Sequence, residues 1–486
     1  MHRLRLLKFS YIIYFFALAL FVLAPVLFSK GYILNLDMIF TPGMNHHNFE
    51  DALINMEIRR IFFFYLVKII PSFILQRLIL LFTLFGTSYF MYLFLRKVGK
   101  VKENLSFPAL TAATLYLINP FVYTRLLAGH WLFLIGYAFL PLFLYYFLKD
   151  KRIHAILTWG IISILSPHHL ILYFLALVAF IPFTKKKVKA LYVIIPTLLV
   201  SLVWIIPSLF RNPINKFSTS DLNFYASNPD KVYGLSYNLL NLKGFWAENT
   251  LNYSEGLIPL TFVLLLILIL LVLFLARKPK KEYGLIISTL TVGFLGLFLA
   301  HGSYELGKPV WDLFYSKLYI LKPFREPQKF LSLYSLMLSI LLFFSAKNWS
   351  KYSALILVPI FLASSSMFLG LSGQLKSVDY PDSWYYLEEQ GDDQKILVLP
   401  WVEYAHFPFA GKQIMDPSPS FFSAELISNQ SINTTEYDLS ERKLRQEGID
   451  YVLLNKVADY KSYLEIENWE NVEKEYEDEN GIVFSL

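Results

Sequence analysis

Asp37 stands alone in Gly31-Tyr32-Ile33-Leu34-Asn35-Leu36-Asp37, a few residues beyond the first long apolar run. A carboxylate at an apolar boundary can take a proton from a hydroxyl, the work of a general base. Thr41-Pro42-Gly43 then marks a turn, and His46 and His47 follow it. Asn48 can cap a helix whose first turn holds Glu50 and Asp51 and whose later turn holds Arg59 and Arg60. That polarity complements the helix dipole, so Glu50 and Asp51 read first as capping charges, with a direct chemical role as the alternative. Phe49, Ala52, Leu53 and Met56 share one face, which predicts a helix lying on a membrane surface.

A second group is Lys322-Pro323-Phe324-Arg325-Glu326-Pro327-Gln328-Lys329-Phe330. Arg325 and Lys329 are four residues apart at a helix start, where backbone N–H groups are free. A guanidinium fork, an ammonium and a helix N-terminus together suit a phosphate. Simple anchoring to lipid headgroups competes with that reading, and the two prolines favour a shaped site. Glu326 is a further polar candidate. The third group is Arg125-Leu126-Leu127-Ala128-Gly129-His130-Trp131, where Arg125 is the only base in an otherwise uncharged turn. His130 can be a hydrogen-bonding group, a metal ligand or an interfacial residue. The fourth is His168-His169. Adjacent helical residues point in different directions, so this pair alone does not make a metal site. Together with His46, His47 or Asp37, a divalent cation such as Mg or Mn remains compatible, and the sequence does not decide the metal. With no cysteine in the chain, thiolate metal sites, disulfides and cysteine nucleophiles are excluded.

The elements that must position these groups are membrane helices. Of 486 residues, 56% are hydrophobic and 17% charged, against about 25% charged in ordinary soluble domains. A soluble globule, a disordered chain and a nucleic-acid binder are all disfavoured, despite the net charge of +7. The charge is divided: residues 1–371 carry 35 Lys/Arg and 14 Asp/Glu, whereas residues 372–486 carry 9 and 23. Spanning a bilayer takes about 20 apolar residues per helix. Eleven stretches qualify: 9–29, 72–95, 106–124, 130–148, 153–166, 169–183, 190–210, 255–276, 283–300, 328–346 and 352–371. Basic clusters fall in alternate connections, which by the positive-inside rule places the N-terminus inside and everything after the eleventh span outside. The first span, with a basic flank and no small-residue cleavage site, reads as an uncleaved anchor. Eleven of the 14 acids before residue 372, and seven of nine histidines, then fall on the outer side.

The fold class expected is therefore an α-helical polytopic membrane protein of about 11 transmembrane helices, N-in and C-out, with a small C-terminal extracytoplasmic α/β domain. The expected domains are 1–371, with its first external loop at about 30–71, and 372–486. In the acidic domain, Lys395–Pro400, Ile449–Leu454 and Ile482–Phe484 read as buried strands, and residues 437–447 read as a helix.

This pattern resembles the GT-C superfamily of polytopic glycosyltransferases. The likeness lies in the eleven spans, a long first external loop with an early acid, and an external C-terminal domain. The stretches Phe324-Arg325-Glu326-Pro327-Gln328-Lys329-Phe330 and Gly129-His130-Trp131 through Leu142 resemble prokaryotic members, including arabinofuranosyltransferase-like proteins. The resemblance implies transfer of a sugar from a polyprenyl-phosphate-linked donor to a glycan, lipid or protein acceptor at the outer face of the plasma membrane. It further implies that Asp37 activates the acceptor or binds a metal, and that Arg325 and Lys329, with Arg125 as a further candidate, hold the lipid phosphate. Asp37 has no adjacent acid, a departure from the paired-acid pattern of some members. Two other classes fit the composition: a flippase or exporter of lipid-linked sugars, and a noncatalytic cell-surface assembly protein. Glycans at Asn252, Asn429 and Asn433, but not at Asn104 and Asn348, would support the topology.

Overall fold

The computed structural model describes residues 2–45, 58–101, 105–183, 187–210, 219–277, 282–304, 307–317, 324–428 and 439–486. The chain divides into two units: Met1–Ala24 with Leu80–Ser372, and Pro25–Ile79 with Gly373–Leu486. Residues 25–79, read from sequence with the helical region, group with the C-terminal segment in this division.

The first unit is helical. Among the described residues, six helices are long and apolar enough to cross a membrane: Ser10–Leu27, Ser72–Val98, Trp131–Leu148, Val188–Pro207, Tyr283–Ala300 and Pro327–Trp349. A further pair, Lys351–Ala363 and Ser365–Gly373, is bent by 72°. Arg152–Leu165, His168–Phe180 and Leu260–Ala276 are shorter apolar helices. The helix Leu331–Ala346 is buried along its whole length. Its neighbour Tyr283–Ala300 comes close through Gly293 and Gly296. A Cβ at Gly296 would lie 2.7 Å from the Phe330 carbonyl oxygen, and one at Gly293 would lie 2.3 Å from Met337. Small residues at such crossings let membrane helices approach closely.

The stretch 106–124, expected as one span, is two helices, Phe107–Leu117 and Pro120–Leu127. Pro120 cannot donate to a preceding turn, and Asn119 serves both ends of the break. Its Nδ2 donates to the carbonyls of Leu115 and Tyr116, and its Oδ1 accepts from the Val122 N–H at 3.1 Å.

The second unit is built on a five-stranded sheet. Numbering all strands in chain order gives β1 Tyr32–Ile33, β2 Ser377–Val378, β3 Lys395–Leu399, β4 Tyr404–Phe407, β5 Lys412–Met415, β6 Glu425–Ile427, β7 Tyr451–Asn455, β8 Glu473–Glu477 and β9 Gly481–Ser485. The sheet order is β6-β3-β7-β9-β8. β3 is parallel to β6 and β7, and β9 is antiparallel to β7 and β8. Its core gathers Leu397, Leu399, Val452, Leu454 and Phe484. The buried runs of β3 and β7 are apolar on both faces, as parallel strands covered on both sides require. The predicted helix at 437–447 is the shorter Glu441–Gln446.

The first loop is woven into this unit. β1 pairs antiparallel with β2. Leu36 bridges to Ile414, and its carbonyl accepts from the Met415 N–H at 2.9 Å. The Tyr380 hydroxyl donates to the Phe40 carbonyl at 2.9 Å. Gln76 both accepts from the Ile33 N–H and donates to its carbonyl. Arg77, 6% exposed, donates to the carbonyls of Val26, Ser29 and Phe73, holding the C-terminal end of His2–Leu27.

Candidate active site

In the helical unit, chemistry-capable groups meet where helices begin. Pro120 starts the short helix that carries Arg125 in its last turn. Gly129 follows at φ +77°, a left-handed turn that glycine adopts without steric penalty. His130 then stands at the N-cap position of Trp131–Leu148. From the far end of the sequence, Pro327 opens a 3₁₀ turn, Pro327–Phe330, that leads into the buried helix. This brings Glu326 against Arg125 although 201 residues separate them.

The cluster is tight. Arg125 Nη1 donates to Glu326 Oε2 at 3.1 Å and lies 3.0 Å from His130 Nδ1. Lys329 Nζ donates to the other carboxylate oxygen, Oε1, at 2.9 Å. It also lies 3.0 Å from His168 Nε2. Arg125 is 1% exposed, and its guanidinium lies over the rings of Phe121, Phe133 and Phe245. Burial alone would raise the Glu326 carboxyl, but Lys329, His130 and Arg125 outweigh it and hold the group below the usual carboxylate range. Arg325 is half-buried beside this cluster, its guanidinium 4.1 Å from the centre of the Tyr225 ring.

His168 and His169 go separate ways, as their adjacency requires. His168 faces Lys329, whereas His169 is buried with Nδ1 3.0 Å from the Ser166 hydroxyl. The His169 ring fills the space over Gly136: a Cβ there would lie 2.4 Å from Cε1 and Nδ1. Gly136→Ala should therefore destabilise the helical unit by about 1–3 kcal/mol through overpacking. Thermal unfolding in detergent measures this, and an unchanged midpoint would mean that the imidazole swings aside.

In the second unit, Asp37 is half-buried and accepts a hydrogen bond from the Tyr404 hydroxyl at 2.7 Å. Lys412 donates to Asn35 Oδ1 and to the Gln374 carbonyl. Burial, with Lys376 adding repulsion, lowers the Lys412 ammonium to about 8. Asp416, 5% exposed, accepts from the Ser418 N–H at 3.0 Å and from its hydroxyl. Burial pushes this carboxyl up to about 6 against the pull of Ser418. An acid whose folded pKa is raised adds stability below its unfolded pKa and loses it as pH rises through the folded one. Between pH 4 and pH 7 the wild type should lose about 2 kcal/mol relative to Asp416→Asn. Unfolding midpoints measured across that window check the sign, and parallel curves would refute it.

His46, His47, Glu50 and Asp51, with the surface helix expected around them, lie outside the described residues. Among the described residues no three metal-ligating side chains gather. Glu326, the carboxylate nearest His130 and Lys329, is occupied by two cations, a poor arrangement for a divalent ion. Sequence reasoning did not single out Tyr404, Gln328, Tyr225 or Trp246. Gln328 lay inside the stretch that carried the resemblance, but an uncharged amide gives no signal until its surroundings are known.

No family model matches the chain, and no curated protein matches it. Among solved structures, the arabinofuranosyltransferase AftD from mycobacteria, determined by single-particle cryo-electron microscopy, is similar with a TM-score of 0.63 at 13% identity. The match covers 98% of this chain and 40% of that one. A point mutant of AftD gives a TM-score of 0.50 at 12% identity, covering 98% and 41%. The chain therefore spans about two fifths of AftD, and the likeness is one of fold.

Proposed function

We propose that this chain is a GT-C-type membrane glycosyltransferase that moves a sugar from a polyprenyl-phosphate-linked donor to a glycan, lipid or protein acceptor, with inversion at the anomeric carbon. The observation that carries the reading is the turn from Arg325 to Lys329. There, Arg325 and Lys329 flank a proline-fixed turn that leads into a buried apolar helix, the arrangement this reading assigns to a lipid-borne phosphate. The fold likeness to a membrane arabinofuranosyltransferase supports it.

On this reading Arg325 grips the donor phosphate. Lys329 adds positive charge, and Arg125, through Glu326, fixes the segment that presents both. The acceptor hydroxyl oxygen attacks the anomeric carbon as the carbon–oxygen bond to phosphate breaks. The electron pair leaves with the lipid phosphate, whose growing charge the cations stabilise. Asp37 takes the hydroxyl proton. The proposed topology has eleven spans, the N-terminus inside, and Asp37 and the C-terminal segment outside.

The test is transfer from radiolabelled polyprenyl-phosphoryl sugars in membranes containing the full chain. Arg325→Ala should raise the donor KM by about 10- to 100-fold, the worth of charge-assisted hydrogen bonds, with kcat less affected. An unchanged donor KM would remove Arg325 from the phosphate site. Absence of transfer from every pentosyl and hexosyl donor would overturn the enzyme reading.

A further inference from the structure

Tyr225 ties together three side chains that the phosphate reading leaves unused or only half used. Its ring lies under the Arg325 guanidinium and meets the Trp246 ring edge-on, with centroids 4.9 Å apart. Its carbonyl accepts from Gln328 Nε2 at 2.9 Å. Trp246 is held on a short, rigid turn. The buried Glu248 carboxylate accepts from the N–H groups of Gly244 and Phe245, at 2.7 and 3.0 Å, and from Asn238. Phe224 also packs against the Trp246 ring, with centroids 5.2 Å apart.

Two polar atoms around this platform have no partner. Gln328 is fully buried, and because its Nε2 is committed to Tyr225, its Oε1 is an acceptor without a donor. The Trp246 Nε1 is likewise buried, a donor without an acceptor. Nearly all buried polar groups in folded proteins are paired, so an orphan acceptor and an orphan donor flanking one tyrosine call for an explanation. Helix packing alone does not supply one, since an apolar side chain at either position would pack without that cost. A hydroxyl both donates and accepts, and several hydroxyls on a compact ring with apolar C–H faces suit aromatic walls. Gln328 and Phe245 also line one narrow crevice with Arg125.

We propose that Trp246 and Gln328, with Tyr225 as platform, form the subsite that reads hydroxyls of the sugar on a polyprenyl-phosphoryl donor whose phosphate Arg325 holds. This rests on the donor reading above and adds the part of the ligand that distinguishes one donor from another. A site built to hydrogen-bond a hydroxyl rejects ligands that lack it, because its own groups are left unpaired.

The experiment is direct binding to the full-length protein in nanodiscs. The probes are bare polyprenyl phosphate, polyprenyl-phosphoryl-arabinofuranose and polyprenyl-phosphoryl-mannose. The wild type should bind at least one sugar-bearing lipid more tightly than bare polyprenyl phosphate. Trp246→Phe keeps an aromatic ring and removes the N–H. It should weaken the preferred sugar-bearing lipid about 3- to 10-fold, the worth of one hydrogen bond, and bare polyprenyl phosphate by less than about twofold. Gln328→Met, accepted only if its melting temperature stays near wild type, should show the same selectivity. Equal weakening of both classes of lipid, or no weakening of either, would overturn the sugar subsite. A wild type that binds bare polyprenyl phosphate as tightly as the sugar-bearing lipids would overturn the subsite and leave the phosphate reading standing. Failure to bind any of the three would overturn both.

Discussion

Glu326→Gln should destabilise the helical unit by about 3–5 kcal/mol, the range seen when one partner of a buried ion pair is removed. The carboxylate accepts from Arg125 through one oxygen and from Lys329 through the other. Glutamine keeps the volume but removes the charge, leaving two buried cations facing each other and His130. The size of the loss comes from those stranded charges rather than from the net worth of the ion pair. A second substitution separates the two: Glu326→Gln with Arg125→Met should recover part of the lost stability, because apolar replacement of a buried pair is often close to neutral. Thermal unfolding in detergent, with both variants beside wild type, is the measurement. If the double variant is no more stable than the single, uncompensated charge is not the cause.

Asp37→Asn should reduce sugar transfer about 10²- to 10⁴-fold, the usual contribution of a positioned general base. Asparagine can still accept the Tyr404 hydrogen bond that Asp37 receives at 2.7 Å, so the local fold should survive. What it cannot do is take a proton. The expected signature is therefore a collapse of kcat with the donor KM and melting temperature little changed. Tyr404→Phe leaves the carboxylate in place with one fewer fixed direction, and a loss of about 3- to 10-fold is expected. Full activity of Asp37→Asn would show that the proton leaves by another route.

Much of the helical framework was legible because apolar length is a strong signal. Each of the eleven stretches read from sequence contains helix, but six helices pass as full-length spans among the described residues. Two of the stretches depart from a single straight span. Asn119-Pro120 cuts one stretch in two, and the eleventh stretch falls on the pair that bends by 72°. In the second unit, β3, β7 and β9 announced themselves as apolar runs. β8, Glu473-Lys474-Glu475-Tyr476-Glu477, did not, since a solvent-exposed edge strand can be charged throughout. The site was the least legible part. Arg125 drew attention as a lone base in its turn, but its partner Glu326 comes from 201 residues away. No local pattern could show that its charge is bound up with a carboxylate. Gln328 and Trp246 stand out only because their surroundings leave one atom of each unmatched.

The threading of residues 25–79 into the C-terminal unit has a consequence for synthesis. Tyr32 finds its strand partner Val378, and Ser29 its hydrogen-bonding partner Ser377, almost 350 residues later in the chain. At roughly 5–20 residues per second, the early segment waits on the order of 20–70 s after translation before its partner exists. Throughout that interval Tyr32, Ile33, Leu34 and Leu36, all buried at the end, lack the C-terminal partners β2 and Ile414, although Gln76 can already bond Ile33. A chain cut before Gly373 would leave them so permanently, and quality-control proteases should clear it faster than the intact chain, as pulse-chase decay would reveal.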